Sequence, residues 1–277
     1  MVRDPGDLYQ VGPDAPELDD VTMLYYFDGF IDAGGAGRLL TAHLLSAIEH
    51  TEVARFDVDS LIDYRSRRPV MTFAKDHWED YDAPEIAVSL LHDTAGTPFL
   101  LLNGPEPDHD WNAFTGAVLG MASALRVRLA VGFHGIPMGV PHTRPLGVTA
   151  HATQPGLIEG YRPLVDKLQV PGSAAALLEY RLGQDERAAV GFAVHVPHYL
   201  AQAAYPAAAV TPSCLVCGTP IGMPWKLTAS RTFRLAVTCR TAAVNASHSR
   251  SGSRPLSSRN CVPSESRSSD IVSSGAS

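Results

Sequence analysis

Four short stretches concentrate the side chains able to do chemistry. The first is Phe27-Asp28-Gly29-Phe30-Ile31-Asp32-Ala33-Gly34-Gly35-Ala36-Gly37, where two carboxylates stand among closely spaced glycines. The second is Leu102-Asn103-Gly104-Pro105-Glu106-Pro107-Asp108, with Trp111 close behind. The third runs from His134 to Pro145 and carries His142 and Arg144; the fourth, Phe192 to Leu200 (FAVHVPHYL), carries His195 and His198. Glycines between a strand and a helix can cradle a phosphate at the helix N-terminus. The dinucleotide fingerprint would need glycine at position 40, which is Leu40, so Gly34 and Gly35 read first as a tight strand-to-helix turn. Paired carboxylates, Asp28 with Asp32 or Glu106 with Asp108, can act as acid and base. Acidic residues at strand ends also cap helices, and capping is the favoured reading. Arg144 suits a carboxylate or phosphate, and Trp111 a stacking wall.

The histidines His134, His142, His151, His195 and His198 are the best argument for a metal, since imidazole is a common ligand. No HExxH is present, and His195 and His198, three apart on a strand, point to opposite faces. No metal and no cofactor are therefore expected. Neither G-x-x-x-x-G-K-[ST] nor G-x-S-x-G occurs, which removes the P-loop and the nucleophile elbow. All four cysteines (Cys214, Cys217, Cys239, Cys261) follow residue 211, so no thiol nucleophile is available before that point. Cys214 and Cys217 lack the second close pair or histidine partners of a structural zinc site, and Gly218, Pro220 and Pro224 follow where a redox CxxC would open a helix.

The elements that must position these residues alternate. Thr22–Phe30 is a β-rich apolar run, after which Leu40, Leu44, Ala47 and Ile48 recur at helical spacing. Strands are expected over Glu52–Tyr64, Ile86–Leu91, Phe99–Leu102, Val127–Phe133, Val148–Ala152 and Ala188–Val196. Helices are expected behind Asp108 or Asp110, with Phe114, Val118, Met121, Ala122 and Leu125 on one face, and from Ser173 through Leu182. Val127–Phe133 is apolar apart from Arg128, as in a central strand covered on both faces. The class is α/β: three layers, helices on both faces of a largely parallel or mixed sheet. In such a sheet the ligand crevice lies beyond the carboxyl ends of the strands, where the four stretches fall.

Composition divides the 277 residues sharply. Residues 1–211 hold 14 Lys+Arg and 27 Asp+Glu, net −13, whereas residues 212–277 hold 8 and 2, net +6. Serine rises from 6 in the first part to 15 in the last 66 residues. The organisation read from this is an acidic arm over 1–20, an α/β domain over 21–211, and a Ser/Arg-rich tail over 212–277. A basic disordered extension and a terminus translated in another reading frame both account for that tail. Net −13 in the folded part excludes nucleic acid as its partner, which needs a basic face. No apolar run approaches the ~20 residues that span a bilayer, and the acidic N-terminus lacks the features of a signal peptide. A cytoplasmic protein without a membrane partner is expected.

Taken together, the four stretches in this order resemble the PAC2 (proteasome assembly chaperone 2) family, in its actinobacterial branch, over about residues 20–211. The resemblance implies a phosphorylase/hydrolase-like α/β fold and homo-oligomeric assembly. For eukaryotic and archaeal members it implies binding to proteasome α-subunits, an interaction role without turnover. Two alternatives stand beside it: a small-molecule enzyme or sensor using the crevice, and a structural homo-oligomer. A common site in the enzyme or sensor would gather Asp28, Glu106, His134, His142 and Arg144. Chaperones that dock through a C-terminal hydrophobic-Tyr-any tripeptide have no counterpart in Gly275-Ala276-Ser277, so that mode of docking is not expected.

Overall fold

Seven consecutive residues from Val21 to Phe27 are buried, and a strand with both faces covered must lie in the middle of a sheet with helices on either side. The computed structural model, which describes residues 4–13 and 15–216 with side chains through 211, has that arrangement. The chain divides into Met1–Thr238 and Cys239–Ser277, and everything described belongs to the first unit. Ten strands are described: β1 (Tyr9–Val11), β2 (Val21–Asp28), β3 (His50–Phe56), β4 (Met71–Ala74), β5 (His77–Tyr81), β6 (Ala87–His92), β7 (Pro98–Pro105), β8 (Val127–Met138), β9 (Val148–Ala152) and β10 (Ala188–Pro197). The helices are α1 (Ala36–Ala47), α2 (Trp111–Ala124), α3 (Ala174–Gln184) and α4 (Pro206–Val216).

Eight strands form one sheet in the order β1-β3-β6-β7-β2-β8-β10-β9. The four central strands β7-β2-β8-β10 are parallel, and β6, β3 and β1 on one side and β9 on the other each pair antiparallel with the strand before them, counted outward from the centre. The sheet is therefore mixed with a parallel heart. Side-chain alternation assigns the layers. Met23, Tyr25 and Phe27 pack with Phe114, Val118 and Met121 of α2 and Leu178 and Leu182 of α3. Leu24 and Tyr26 pack on the opposite face with Leu40 and Leu44 of α1 and Ala209 of α4. The helix α3 opens as its sequence predicts, Ser173 Oγ accepting from the Ala176 N–H at 3.1 Å.

Several boundaries differ from the expectation. The strand expected over Glu52–Tyr64 ends at Phe56 and passes into a 3-10 turn at Val58–Ser60. The strand expected to stop at Phe133 continues to Met138, so His134 is a strand residue on β8 and not part of the following loop. Asp110 takes the N-cap position of α2 at φ 53° and makes no side-chain cap bond. The hairpin β4–β5 stands as a separate two-stranded sheet, in a region the sequence analysis leaves without elements. The helix α4 runs through residue 211, where the α/β domain is expected to end. Cys217, Cys239, Cys261 and the other tail residues from 217 on, with the side chains of residues 212–216, lie outside the described residues.

Candidate functional site

The glycine turn after β2 is filled from within. Gly34 and Gly35 both hold positive φ, 68° and 62°, the left-handed region that glycine enters at no steric cost. That geometry turns the chain so that the Asp32 carboxylate faces the start of α1. Asp32 Oδ1 accepts from the N–H of Gly37 at 2.8 Å and of Gly135 on β8 at 3.0 Å; Oδ2 accepts from the N–H of Arg38 at 3.0 Å. Gly35 N–H donates to Asp32 O and Gly34 N–H to Ala201 O. The amides that would cradle a phosphate are thus already engaged, and a side-chain carboxylate stands where the anion would sit. Tyr26 completes the knot, its hydroxyl 3.0 Å from Asp32 Oδ2 and 3.2 Å from Asp28 Oδ1. Burial and the two neighbouring carboxylates push its pKa far up, so the phenol stays protonated.

A second knot ties the loop after β7. The Arg67 guanidinium donates to the Asp108 carboxylate and to the carbonyls of Glu106 and Asp28, while Asp108 Oδ2 accepts from Asp63 N–H at 2.7 Å. Burial works against the Asp108 charge, but Arg67 and the Asp63 amide outweigh it and hold that carboxyl below its ordinary range. Glu106 turns inward, and its Oε1 caps α3 by accepting from Ala174 N–H at 2.7 Å. Burial raises its pKa against the pull of that amide and of Arg67. Trp111 bonds through its indole N–H to the Pro107 carbonyl and packs on the core, so it lines neither cleft described below.

The third and fourth stretches meet at one residue. His142 Nδ1 lies 2.7 Å from the Tyr199 hydroxyl, which also accepts from the His142 backbone N–H at 3.0 Å. His198 sets its ring edge against the same tyrosine, centroids 5.4 Å apart. Arg144 is exposed on the same loop as His142. A cleft of about 330 Å³ beside the glycine turn is lined by Asp28, Asp32 and Arg38 with Ala201–Ala203. His142, Arg144 and Glu106 do not line it, nor do they line the cavity that holds His134.

That cavity is the feature the sequence analysis does not assemble. Register aligns Tyr25 on β2 with Gly132 on β8, Gly132 with Gly191 on β10, and Gly191 with His151 on β9. The two glycines make room for the rings beside them: a Cβ on Gly132 would stand 2.6 Å from the Tyr25 ring, and one on Gly191 would stand 2.1 Å from the His151 ring. Both rings converge on Glu179 of α3. The Tyr25 hydroxyl faces the same cavity, where burial and the Glu179 carboxylate raise its pKa, and His151 Nδ1 is 2.7 Å from Oε1. The Glu179 side chain is only 13% exposed. His134, two residues beyond Gly132 on the same face, completes the group, and burial depresses its pKa. One sequence signal marks the row: the tetrapeptide Ala-Val-Gly-Phe occurs at 130–133 and again at 189–192, which places the two glycines side by side on neighbouring strands. Among the described residues no three His, Cys, Asp or Glu side chains come together as a metal site, and no helix is long and apolar enough to cross a membrane.

Comparison with known proteins gives a consistent kinship. A structure of a Mycobacterium tuberculosis protein of unknown function, Rv2714, is 46% identical at a TM-score of 0.71, covering 76% of this chain and 75% of its own. A Corynebacterium glutamicum protein of unknown function is 35% identical at 0.70, covering 74% and 78%. The M. tuberculosis proteasome-assembly chaperone homologue Rv2125 shares the fold at 22% identity and 0.67, covering 75% and 88%. No curated protein matches. The model of the PAC2 family matches residues 26–223, a span that takes in the glycine turn, the Arg67 knot, the His142–Tyr199 contact and the Glu179 cavity apart from Tyr25. This chain is a member of the PAC2 family.

Proposed function

We propose that the chain is a homo-oligomeric interaction protein of the proteasome-assembly-chaperone kind, working through surfaces and without catalytic turnover. The observation that carries this reading is the β4–β5 hairpin. It stands apart from the main sheet and displays Phe73, 56% exposed, against Trp78, 62% exposed, with ring centroids 5.0 Å apart. Met71 and Tyr81, paired across the same hairpin, are exposed as well. A two-stranded ribbon is marginal alone in water, and apolar display of this kind marks a contact surface. The hairpin is the contact between copies of the chain, and the assembly so formed meets proteasome α-subunits. The named chaperone homologue of the same fold supports the second step. The polar residues at the strand ends support the absence of turnover, because the carboxylates of Asp32, Glu106 and Asp108 are each engaged by donors of the framework.

The test is native mass spectrometry of the full chain, alone and mixed with purified proteasome α-subunits. The expected spectrum shows a homo-oligomer that Trp78→Ala converts to monomer, and an additional complex with α-subunits. A monomeric parent chain sinks the first step; an oligomer that never takes up an α-subunit sinks the second.

A further inference from the structure

Among the described residues Glu179 is the sole carboxylate lining a cavity of about 330 Å³ whose other walls are chiefly apolar, among them Phe27, Phe30, Ile136 and Val170. Sites that enclose small molecules start at about this size, roughly 300–1,000 Å³, and combine an apolar lining with a few convergent polar groups. A carboxylate buried against such walls is costly without a compensating donor or cation. The His151 Nδ1 contact at 2.7 Å and the Tyr25 hydroxyl facing the same cavity leave part of its acceptor capacity of about four lone-pair sites open. Two of the groups around it bring no positive charge into the cavity: Tyr25 is a neutral phenol held protonated by burial and by Glu179 itself, and burial disfavours the charged form of His134. His151, the third base of the group, is 46% exposed at the solvent side. Phe30 lines the cavity and is 45% exposed, so an apolar body can reach it from water.

We propose that this cavity binds a small organic amine, its ammonium hydrogen-bonded to Glu179 and its apolar body lying against Phe27 and Phe30. The cross-sheet row makes the site a built one. Gly132 and Gly191 are small so that Tyr25 and His151 can lie flat on the sheet and aim at one carboxylate, an arrangement that sheet stability does not need, since glycine in a strand interior weakens it. The site does not depend on the oligomeric reading, and its test reads binding alone.

The experiment is isothermal titration of the full chain with three matched probes, phenethylamine, phenethyl alcohol and phenylacetate. Phenethylamine is expected to bind saturably and at least tenfold more tightly than the alcohol, and phenylacetate not to bind. Glu179→Gln keeps hydrogen-bonding capacity but no charge, and it should bring the amine to the level of the alcohol. Phe30→Ala, at an exposed position with little bearing on folding, should weaken amine and alcohol together and preserve their ratio. Absence of saturable amine binding, phenylacetate binding as tightly as the amine, or an amine preference that survives Glu179→Gln overturns the assignment. Should Glu179→Gln fail to fold, the preference among probes in the parent chain and its loss of affinity in Phe30→Ala decide the question.

Discussion

Asp32 and Gly135 are 103 residues apart in the chain and are joined by a 3.0 Å hydrogen bond from the Gly135 N–H to the Asp32 carboxylate. The same oxygen accepts from Gly37 at the head of α1. One side chain therefore closes the first strand-to-helix turn and anchors it to the neighbouring strand β8. Replacing Asp32 by Ala leaves the amides of Gly37 and Gly135 and the Tyr26 hydroxyl without this acceptor, and each buried donor so stranded costs about 1–3 kcal/mol. A loss of about 3 kcal/mol is expected for Asp32→Ala in urea unfolding and about half that for Asp32→Asn, whose amide oxygen still accepts. A loss under about 1 kcal/mol for Asp32→Ala would mean that water replaces the carboxylate and that the turn holds itself.

Gly135 also bears on that turn through size. A Cβ there would lie 2.0 Å from the Ala33 carbonyl oxygen, a backbone atom that cannot rotate away. Gly135→Ala should therefore cost about 3 kcal/mol, at the upper end of ordinary overpacking. Gly139, four residues on, has nothing within 4 Å of a built Cβ, and Gly139→Ala should stay within about 0.5 kcal/mol of the parent, as surface changes do. Equal effects of the two in the same denaturation experiment would refute the close approach of β8 to the turn.

The parts of this molecule legible in the sequence are those written along one strand or one helix. The apolar runs of β2, β8 and β10 and the helical spacing of α1, α2 and α3 announce the parallel heart of the sheet, because burial on both faces leaves no polar position. The Glu179 cavity is written across four strands, and the order in which strands pair is not a local property. Tyr25 reads as one more residue of an apolar run, Glu179 as the solvated face of a helix, and only the repeated Ala-Val-Gly-Phe hints that Gly132 and Gly191 are neighbours. The β4–β5 hairpin escapes for the opposite reason: its residues are mostly exposed, so no core imposes an alternating pattern on them. His142 and Arg144 are two residues apart on one loop, yet the contact that organises His142 comes from Tyr199, 57 residues away.

Glu106 and Asp108 are two residues apart and respond to acid with opposite signs. The Asp108 carboxyl titrates lower in the folded chain than its ordinary 3.8. Its contribution is complete above that value and is lost as pH falls through the lowered one. The Glu106 carboxyl titrates higher than its ordinary 4.5. The folded chain then binds the extra proton first, and stability falls as pH rises through the window above 4.5. Glu106→Gln removes that penalty and keeps an acceptor for the Ala174 N–H, so it should be at least as stable as the parent at pH 7 and lose its advantage toward pH 4. Arg67→Lys should destabilise at pH 7, since one ammonium cannot serve Asp108 and two carbonyls in the guanidinium's planar fork. Urea titrations at pH 4, 5.5 and 7 check both, and a Glu106→Gln variant that is weaker at pH 7 than at pH 4, relative to the parent, contradicts the sign.

His134 supplies the corresponding test near neutrality. Burial, reinforced by His151, holds its pKa below the ordinary 6.5, against the opposite pull of Asp32 and Glu179. Between the lowered value and 6.5 the unfolded chain binds more protons than the folded one, so stability rises with pH across that interval and is lost as pH falls through it. His134→Gln cannot take up the proton, and its unfolding free energy should therefore be flatter with pH just below 6.5 than that of the parent. His195, whose pKa burial also lowers, remains in both chains and cancels in the comparison. The direct measurement is the pH dependence of the His134 ring protons by NMR, assigned by their absence in the variant. A midpoint at or above 6.5 contradicts the burial of the ring, and one above the working pH would place a charged imidazole beside Glu179 and remove the vacancy for a cation on which the amine site depends.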